Sequence, residues 1–135
     1  MELPEVDRND LIWALNDRSG FYSYLDLETG GILSTIDYEI DEEEVDDERY
    51  AYIDPISSHE AYSLMEEFIE TVEDHKLKRR LNTAISGRGA FRMFKITLQD
   101  YPEEQERWCT FHDTKMEEYA DEWLENVASK LKSRE

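Results

Sequence analysis

The sequence predicts an α+β fold, because the spacing of its apolar residues changes from 2 to about 3.6 after Pro55. Before Pro55, apolar and polar residues alternate in short runs that turn residues separate, which is typical of antiparallel strands. After it, apolar residues recur at helical spacing. A length of 135 residues suits one domain. We therefore expect a single domain, residues 1–135, in which a three-stranded antiparallel β-meander packs against a C-terminal helical bundle that starts near residue 57.

The first element is a short N-terminal helix within the first 16 residues. Asp7 or Asn9 can cap it, because either side chain can accept hydrogen bonds from the unpaired amides of the first turn. The apolar residues that follow these caps lie on one face of the predicted helix.

The sheet is predicted from three short runs. Residues 21–27 and 32–36 are rich in strand formers, and the intervening Glu28-Thr29-Gly30-Gly31 tolerates positive φ. Together they indicate a β-hairpin. Residues 49–53 predict a third strand, and Pro55 prevents that strand from being a central one.

The helical part begins with a capping box. The hydroxyl of Ser57 can accept the amide of Glu60, whose carboxylate can reach back to the cap. The apolar residues that follow recur at i, i+3, i+4, i+7, i+8 and i+11, which predicts an amphipathic helix. These residues are Ala61, Leu64, Met65, Phe68, Ile69 and Val72.

Three further helices are expected. One covers about residues 76–85 and ends at Ser86-Gly87, and another begins near Ala90 and stops before Tyr101. From Glu103 the apolar pattern is helical almost to the last residue. The spacing of its apolar residues is irregular around residues 112–114, which predicts a bend or break there.

The charge balance excludes several classes of protein. The chain has 15 Lys and Arg against 34 Asp and Glu, a formal net charge of −19, so it is not a generally basic nucleic-acid binder. No apolar run approaches the roughly 18 residues of a membrane span, and the N-terminus lacks the features of a secretion signal. The single cysteine, Cys109, cannot form an internal disulfide. We expect a cytoplasmic protein.

Residues 37–48 form an acidic run with nine acids and no base. One interpretation is a solvated loop. Another is a nucleic-acid mimic that binds a basic protein, because nine charges over at most about 40 Å approach the charge density of a DNA strand. The run lacks the glycine of a calcium-binding loop, and we expect no metal and no cofactor. The acidic residues predicted to face a partner are Asp41, Glu42, Glu43, Glu44, Asp46 and Asp47.

Residues 76–95 hold seven bases and no acid, inside an otherwise acidic chain. These bases could pair with acidic surfaces of the same chain or of a second copy in a homodimer. Alternatively, a helix N-terminus next to arginines could bind phosphate or carboxylate. In that hypothesis Gly87 adopts a left-handed cap and Gly89 precedes the next helix. The predicted anion-binding residues are Gly87, Arg88, Gly89, Arg92 and Lys95.

The sequence offers no catalytic constellation. His59, His75 and His112 are scattered, and solvent exposure is expected for the first two. Cys109 lies three residues before His112, but a lone cysteine in an aromatic helical stripe is usually a small buried apolar group. The large aromatic residues of the helices, including Phe91 and Phe94, are expected in the core.

Several stretches resemble a bacterial family, Uncharacterised Protein Family 0158. The resemblance runs from Phe21 to about Leu124, and its most specific part is the segment around Gly87-Arg88-Gly89. It implies a small bacterial cytoplasmic protein of unknown function and supplies no reaction, cofactor or catalytic residue. The similar stretches are Leu25-Asp26-Leu27-Glu28-Thr29-Gly30, Ala61-Tyr62-Ser63-Leu64-Met65-Glu66-Glu67-Phe68, Gly87-Arg88-Gly89-Ala90-Phe91-Arg92-Met93-Phe94-Lys95, Trp108-x-x-Phe111 and Trp123-Leu124.

The charge pattern leads to three functional hypotheses. The first is a non-enzymatic module that binds another protein, one with a basic surface, through its charged surfaces. The second is an acidic mimic that occupies a nucleic-acid-binding protein, and the third is a sensor or enzyme for a small anion at the Gly-Arg-Gly turn. No direct contact with nucleic acid or membrane is expected.

Overall fold

The computed structural model describes residues 3–17, 22–34 and 48–133. Within these ranges the chain forms five helices and three strands, which confirms the α+β class and the short N-terminal helix. In chain order the elements are α1 (Arg8–Leu15), β1 (Ser23–Asp26), β2 (Ile32–Ser34), β3 (Tyr50–Ile53), α2 (Ser58–Glu70), α3 (His75–Ile85), α4 (Ala90–Leu98) and α5 (Pro102–Ser133).

The chain divides into two compact units. The first unit comprises Met1–Ile56 and Met116–Glu135, and the second unit is the continuous segment Ser57–Lys115. The sheet and α1 belong to the first unit, while α2, α3 and α4 belong to the second. A single domain over residues 1–135 stays a prediction.

The sheet is antiparallel and three-stranded, as expected, but its strand order is β2-β1-β3 rather than that of a meander. β3 pairs with β1, with Leu25 opposite Ala51 and Tyr24 opposite Tyr52. Every residue of β1 is buried, so this strand suits the centre of the sheet, where both faces are covered. β3 is the last strand in the order, in agreement with the limit that Pro55 sets.

A buried carboxylate organises the end of the hairpin. Asp26 is only 5% exposed, and its side chain accepts hydrogen bonds from the Glu28 amide at 2.9 Å and from Arg49 Nη2 at 3.1 Å. Next to it the Leu27 amide donates to the Arg49 carbonyl at 2.8 Å. The hydrogen bond from the Arg49 guanidinium holds the pKa of Asp26 below its ordinary value of 3.8, although burial opposes this effect. Asp26 therefore links the β1–β2 turn to the start of β3.

Asp26→Asn should lower the free energy of unfolding at neutral pH by about 1–3 kcal/mol, because a charge-assisted hydrogen bond is lost in a buried site. Since the folded-state pKa of Asp26 is lowered, its contribution is present above about pH 3.8 and is lost as the pH falls through the folded-state pKa. Urea unfolding at several pH values measures both effects. The control is Glu28→Gln, which removes an exposed partner of Arg49. Equal losses in the two variants would contradict the role of Asp26.

The hairpin turn also depends on Gly30. Its φ is +80°, in the left-handed region that favours glycine, and its amide donates to the Asp26 carbonyl at 2.8 Å. A Cβ at this position would overlap the backbone carbonyl of Glu5, which lies in the segment before α1. Gly30 thus allows the N-terminal segment to pass directly against the turn.

Gly30→Ala should therefore lower stability by about 3 kcal/mol or more, because backbone strain and the overlap with Glu5 add together. Gly31→Ala is the matched control, since its φ is not in the left-handed region and a Cβ there would lie 3.3 Å from its nearest neighbour, the Oγ1 of Thr29. Thermal unfolding of both variants tests the difference. Similar melting temperatures for the two would show that the Glu5 contact is unimportant.

The N-terminal helix is capped by Asp7, whose carboxylate accepts the amides of Asn9 at 2.9 Å and Asp10 at 3.2 Å. Arg8 connects this helix to the C-terminal part of α5. Its Nη2 lies 2.6 Å from Glu117 and 2.7 Å from Asp121. α5 therefore provides part of the first unit as well as part of the second.

The core of the second unit is formed by α2, α3 and α4 with the start of α5. The Ser57 cap of α2 is present, with the Glu60 amide donating to its hydroxyl at 3.0 Å. Phe68 and Phe94 lie at the centre. Trp108 packs on both rings, with its ring centre 5.4 Å from that of Phe68 and 4.7 Å from that of Phe94. The buried residues of this core are Met65, Phe68, Ile69, Val72, Leu77, Leu81, Ile85, Phe94 and Leu98.

The long helix α5 is continuous, so a break near residues 112–114 is wrong, while the alternative of a bend there stays a prediction. The irregular spacing has another origin. Phe111 packs against the core of the second unit, whereas Met116 is fully buried in the first. The apolar stripe changes its face because the two halves of one helix serve different units. Among the described residues, no helix is long and apolar enough to cross a membrane.

Candidate functional site

The seven bases of residues 76–95 lie on α3, on α4 and on the turn between them. α3 begins at Asp74, whose carboxylate accepts the amides of Lys76 and Leu77. Leu77, Leu81, Ala84 and Ile85 are buried, so the bases occupy the remaining faces of this helix. α3 and α4 pack together through the core of the second unit.

Two of the seven bases form ion pairs with nearby carboxylates. Arg80 Nη2 lies 3.1 Å from Asp100, and its guanidinium also covers the ring of Tyr101. Lys78 Nζ lies 4.0 Å from Glu70. These pairs agree with the interpretation of the basic block as a stabilising feature, but they involve only these two residues.

The other five bases form what we call the basic surface. All five side chains belong to exposed residues, and within the described part of the chain none of them forms an ion pair. Arg88 is in the turn, and Arg92 and Lys95 are on the solvent side of α4. The full set is Lys76, Arg79, Arg88, Arg92 and Lys95.

The turn before α4 differs from the prediction in one respect. Gly87 does not adopt the left-handed conformation, and α3 ends at Ile85, followed by the cap residue Ser86, whose backbone is right-handed. Gly89 is the left-handed residue, with φ +68°, and it caps α4 without a side-chain hydrogen bond. The reversal of the chain is therefore made at the start of α4 rather than at the end of α3.

A shallow cavity of about 480 Å³ carries cations, but it lies along α3. Lys78 and Arg79 contribute its positive charge, and the remaining lining is polar. The hydroxyls of Thr83 and Ser86 donate to backbone carbonyls one turn earlier, which leaves the cations as the main groups available to an anion. The full lining is His75, Lys78, Arg79, Asn82, Thr83 and Ser86. Anion binding by Gly87, Arg88, Gly89, Arg92 and Lys95 stays a prediction.

The solvent face of α4 also carries apolar side chains that the sequence did not indicate. Phe91, expected in the core, is 40% exposed, and Met93 and Ile96 are exposed to a similar extent. Phe91 lies at the margin of the buried face, which is centred on Phe94 and Leu98. The exposed side of α4 thus combines bases with apolar side chains.

Except for Glu48, the acidic run 37–48 is outside the described residues. Its predicted partner-facing residues, Asp41, Glu42, Glu43, Glu44, Asp46 and Asp47, all fall in residues 35–47. Binding through this run stays a prediction. In the described ranges, no group of three or more His, Cys, Asp or Glu side chains could hold a metal ion.

The expected environment is correct for two histidines and wrong for the cysteine. His59 and His75 are exposed, as predicted, and Cys109 is exposed rather than buried. Cys109 lies on the outer side of α5, because the neighbouring Trp108 takes the inward position. His112 is half-buried against the Trp108 ring at 5.4 Å.

The environment of His112 disfavours its charged form. Burial lowers the pKa of the imidazole below its ordinary value of 6.5, and the positive charge of Lys95 lowers it further. The carboxylate of Asp113 acts in the opposite direction without cancelling these effects. The neutral imidazole therefore completes the packing beside Trp108.

Because the folded-state pKa of His112 is lowered, the unfolded chain binds more protons than the folded chain below about pH 6.5. The free energy of unfolding should therefore decrease as the pH decreases in that range. His112→Gln should remove this part of the pH dependence. Urea unfolding between pH 7 and pH 5 measures the slope. The control, His75→Gln, changes an exposed residue and should leave the slope as it is in the parent protein. An unchanged slope in the His112 variant would contradict the assignment.

Comparison with known proteins gives a family but no activity. The model of an uncharacterised protein family, UPF0158, matches residues 5–135. The UPF0158 protein PA5073 of Pseudomonas aeruginosa is 34% identical over 127 residues, covering 90% of this chain and 82% of the relative. No solved structure gives a significant match. These matches confirm the resemblance noted from the sequence.

Proposed function

This chain belongs to the uncharacterised protein family UPF0158, and we propose that it is a non-enzymatic binding module that recognises an acidic protein surface through its basic surface. The observation that carries the proposal is that five exposed bases remain without carboxylate partners among the described residues of a chain with a net charge of −19. Acids are abundant in this chain, yet those that the structure describes pair with only two of the seven bases in the block.

The charge is divided unequally between the two units. The second unit has 9 Lys and Arg against 11 Asp and Glu, so its formal net charge is −2, and the rest of the chain carries −17. At physiological salt, exposed charges act over about 8 Å. A nearly neutral unit can therefore present local positive charge to an acidic partner despite the acidity of the whole chain.

The exposed apolar side chains of α4 add to this proposal. Met93 and Ile96 are next to Arg92 and Lys95 on the same solvent face. Interfaces between proteins commonly combine an apolar centre with charged residues around it, whereas a site for a small anion needs no exposed apolar side chains. The combination favours a protein partner.

The test uses a short acidic peptide, hexaglutamate, as a probe of the basic surface. Arg92→Gln/Lys95→Gln should weaken its binding about three- to tenfold, because two exposed charge pairs are lost. Lys130→Gln/Lys132→Gln is the control, since it removes the same charge from exposed positions of α5. Isothermal titration calorimetry at low and physiological salt gives the affinities, which should fall as salt rises.

The acidic surface could belong to another protein or to a second copy of this chain. Sedimentation equilibrium distinguishes them, because self-association that Arg92→Gln/Lys95→Gln abolishes identifies a second copy as the partner. An equal effect of the control substitutions on hexaglutamate binding would overturn the proposal. So would a rise in melting temperature with inorganic phosphate that Arg88→Ala/Arg92→Ala removes, combined with no binding of the peptide.

A further inference from the structure

A second cavity lies in the first unit, between β3 and the C-terminal part of α5, with a volume of about 460 Å³. On the strand side it is lined by Tyr50 and Tyr52, which alternate with Ala51, and by Asp54 just after the strand. On the helix side the lining residues recur at i, i+3, i+4, i+7 and i+8, so they share one face of α5. These are Trp123, Asn126, Val127, Lys130 and Leu131. Ala51 of β3 and Leu27, just after β1, line the cavity as well, so most of its described lining comes from two regular elements.

Three aromatic rings line this cavity. Tyr52 is 44% exposed although its ring is held against Tyr24 at 5.6 Å and Tyr22 at 5.8 Å. The guanidinium of Arg49 lies 5.3 Å from the centre of the Tyr50 ring. Trp123 is half-buried on the opposite wall. Aromatic rings that neighbouring side chains hold in place, but that stay partly exposed, favour a flat apolar ligand. The volume of the cavity falls within the range of small-molecule sites.

Among the residues that the structure describes, the same cavity carries one negative and one positive side chain. Asp54 supplies a carboxylate and Lys130 an ammonium group. Neither forms an ion pair with the other or with any further residue in the part of the chain that the structure describes. The amide of Asn126, which can both donate and accept, lines the cavity as well. A ligand that bears both an ammonium group and a carboxylate complements this set.

We propose that this cavity binds a small aromatic zwitterion, of the class of aromatic α-amino acids and short aromatic peptides. The aromatic side chain of the ligand lies among Tyr50, Tyr52 and Trp123, its ammonium group pairs with Asp54, and its carboxylate pairs with Lys130. A nucleotide fits less well, because its phosphates would add negative charge in a unit that already carries most of the charge of the chain. This site is independent of the basic surface.

The experiment is a titration of the ¹⁵N-labelled chain with L-phenylalanine. The indole N–H signal of Trp123 should shift on binding, while those of Trp13 and Trp108, which do not line the cavity, should stay in place. Phenethylamine, which lacks the carboxylate, and 3-phenylpropanoate, which lacks the ammonium group, should each bind more weakly than L-phenylalanine. The dipeptide Phe-Gly distinguishes a free amino acid from a short peptide as the ligand, because its charged groups are further apart than those of L-phenylalanine.

Two substitutions test which charged group of the ligand pairs with Asp54 and which with Lys130. Asp54→Asn should weaken L-phenylalanine and phenethylamine about tenfold and leave 3-phenylpropanoate unchanged, because only the first two carry an ammonium group. Lys130→Gln should weaken L-phenylalanine and 3-phenylpropanoate and leave phenethylamine unchanged. Both residues are exposed, so the variants should fold. Glu125→Gln and Lys132→Gln, also exposed on α5 but outside the lining, are the controls.

Three results would overturn the proposal. One is the absence of any Trp123 shift with L-phenylalanine and with Phe-Gly. The second is an equal loss of affinity in the control variants, which would indicate a general effect of charge. The third is binding of guanosine or adenosine without binding of either zwitterion, which would assign the aromatic rings to a nucleobase.

Discussion

The first unit depends on one buried interaction, the contact of the Asp26 carboxylate with Arg49 and with the amide of its own turn. A carboxylate that leaves water loses hydration, and only a positive partner with additional hydrogen bonds compensates for this loss. Those partners come from the turn after β1 and from the residue just before β3. The interaction therefore fixes where the hairpin turns and where the third strand joins the sheet. The position of the aromatic cavity beside β3 therefore depends on the register in which β3 pairs with β1.

The sequence predicted the parts of the fold that depend on local signals. Apolar periodicity and the Ser57 cap located α2, and turn residues located the hairpin. The strand order could not be predicted, because short connections favour sequential pairing, while the actual neighbour of β1 was decided by burial of both faces of that strand. The partner of Asp26 was hidden for the same reason: Arg49 is 23 residues away along the chain. Such pairings are tertiary, and no local pattern records them.

The candidate site divides in a similar way. Exposure of Arg92 and Lys95 follows from the helical spacing of the buried residues of α4, so the sequence was sufficient for these two. Which bases find carboxylates was not predictable, because Arg80 meets Asp100 only through the packing of the second unit. The left-handed residue was assigned to Gly87 instead of Gly89, since both glycines suit the geometry and composition alone does not distinguish them. The aromatic cavity was missed because Trp123 and the tyrosines of β3 belong to distant segments that each looked like ordinary core.

The discontinuity of the first unit has a consequence for biosynthesis. Its sheet is encoded before residue 57, but it also needs residues 116 onward, whereas the second unit is one uninterrupted stretch. On the ribosome, the strands emerge and then wait for the rest of the polypeptide, roughly 4–16 s at ordinary rates of translation. During this interval β3 lacks the part of α5 that later lies beside it, and the core of the second unit downstream can already close. Nascent chains should therefore acquire protease resistance in the middle of the sequence before they acquire it at the start.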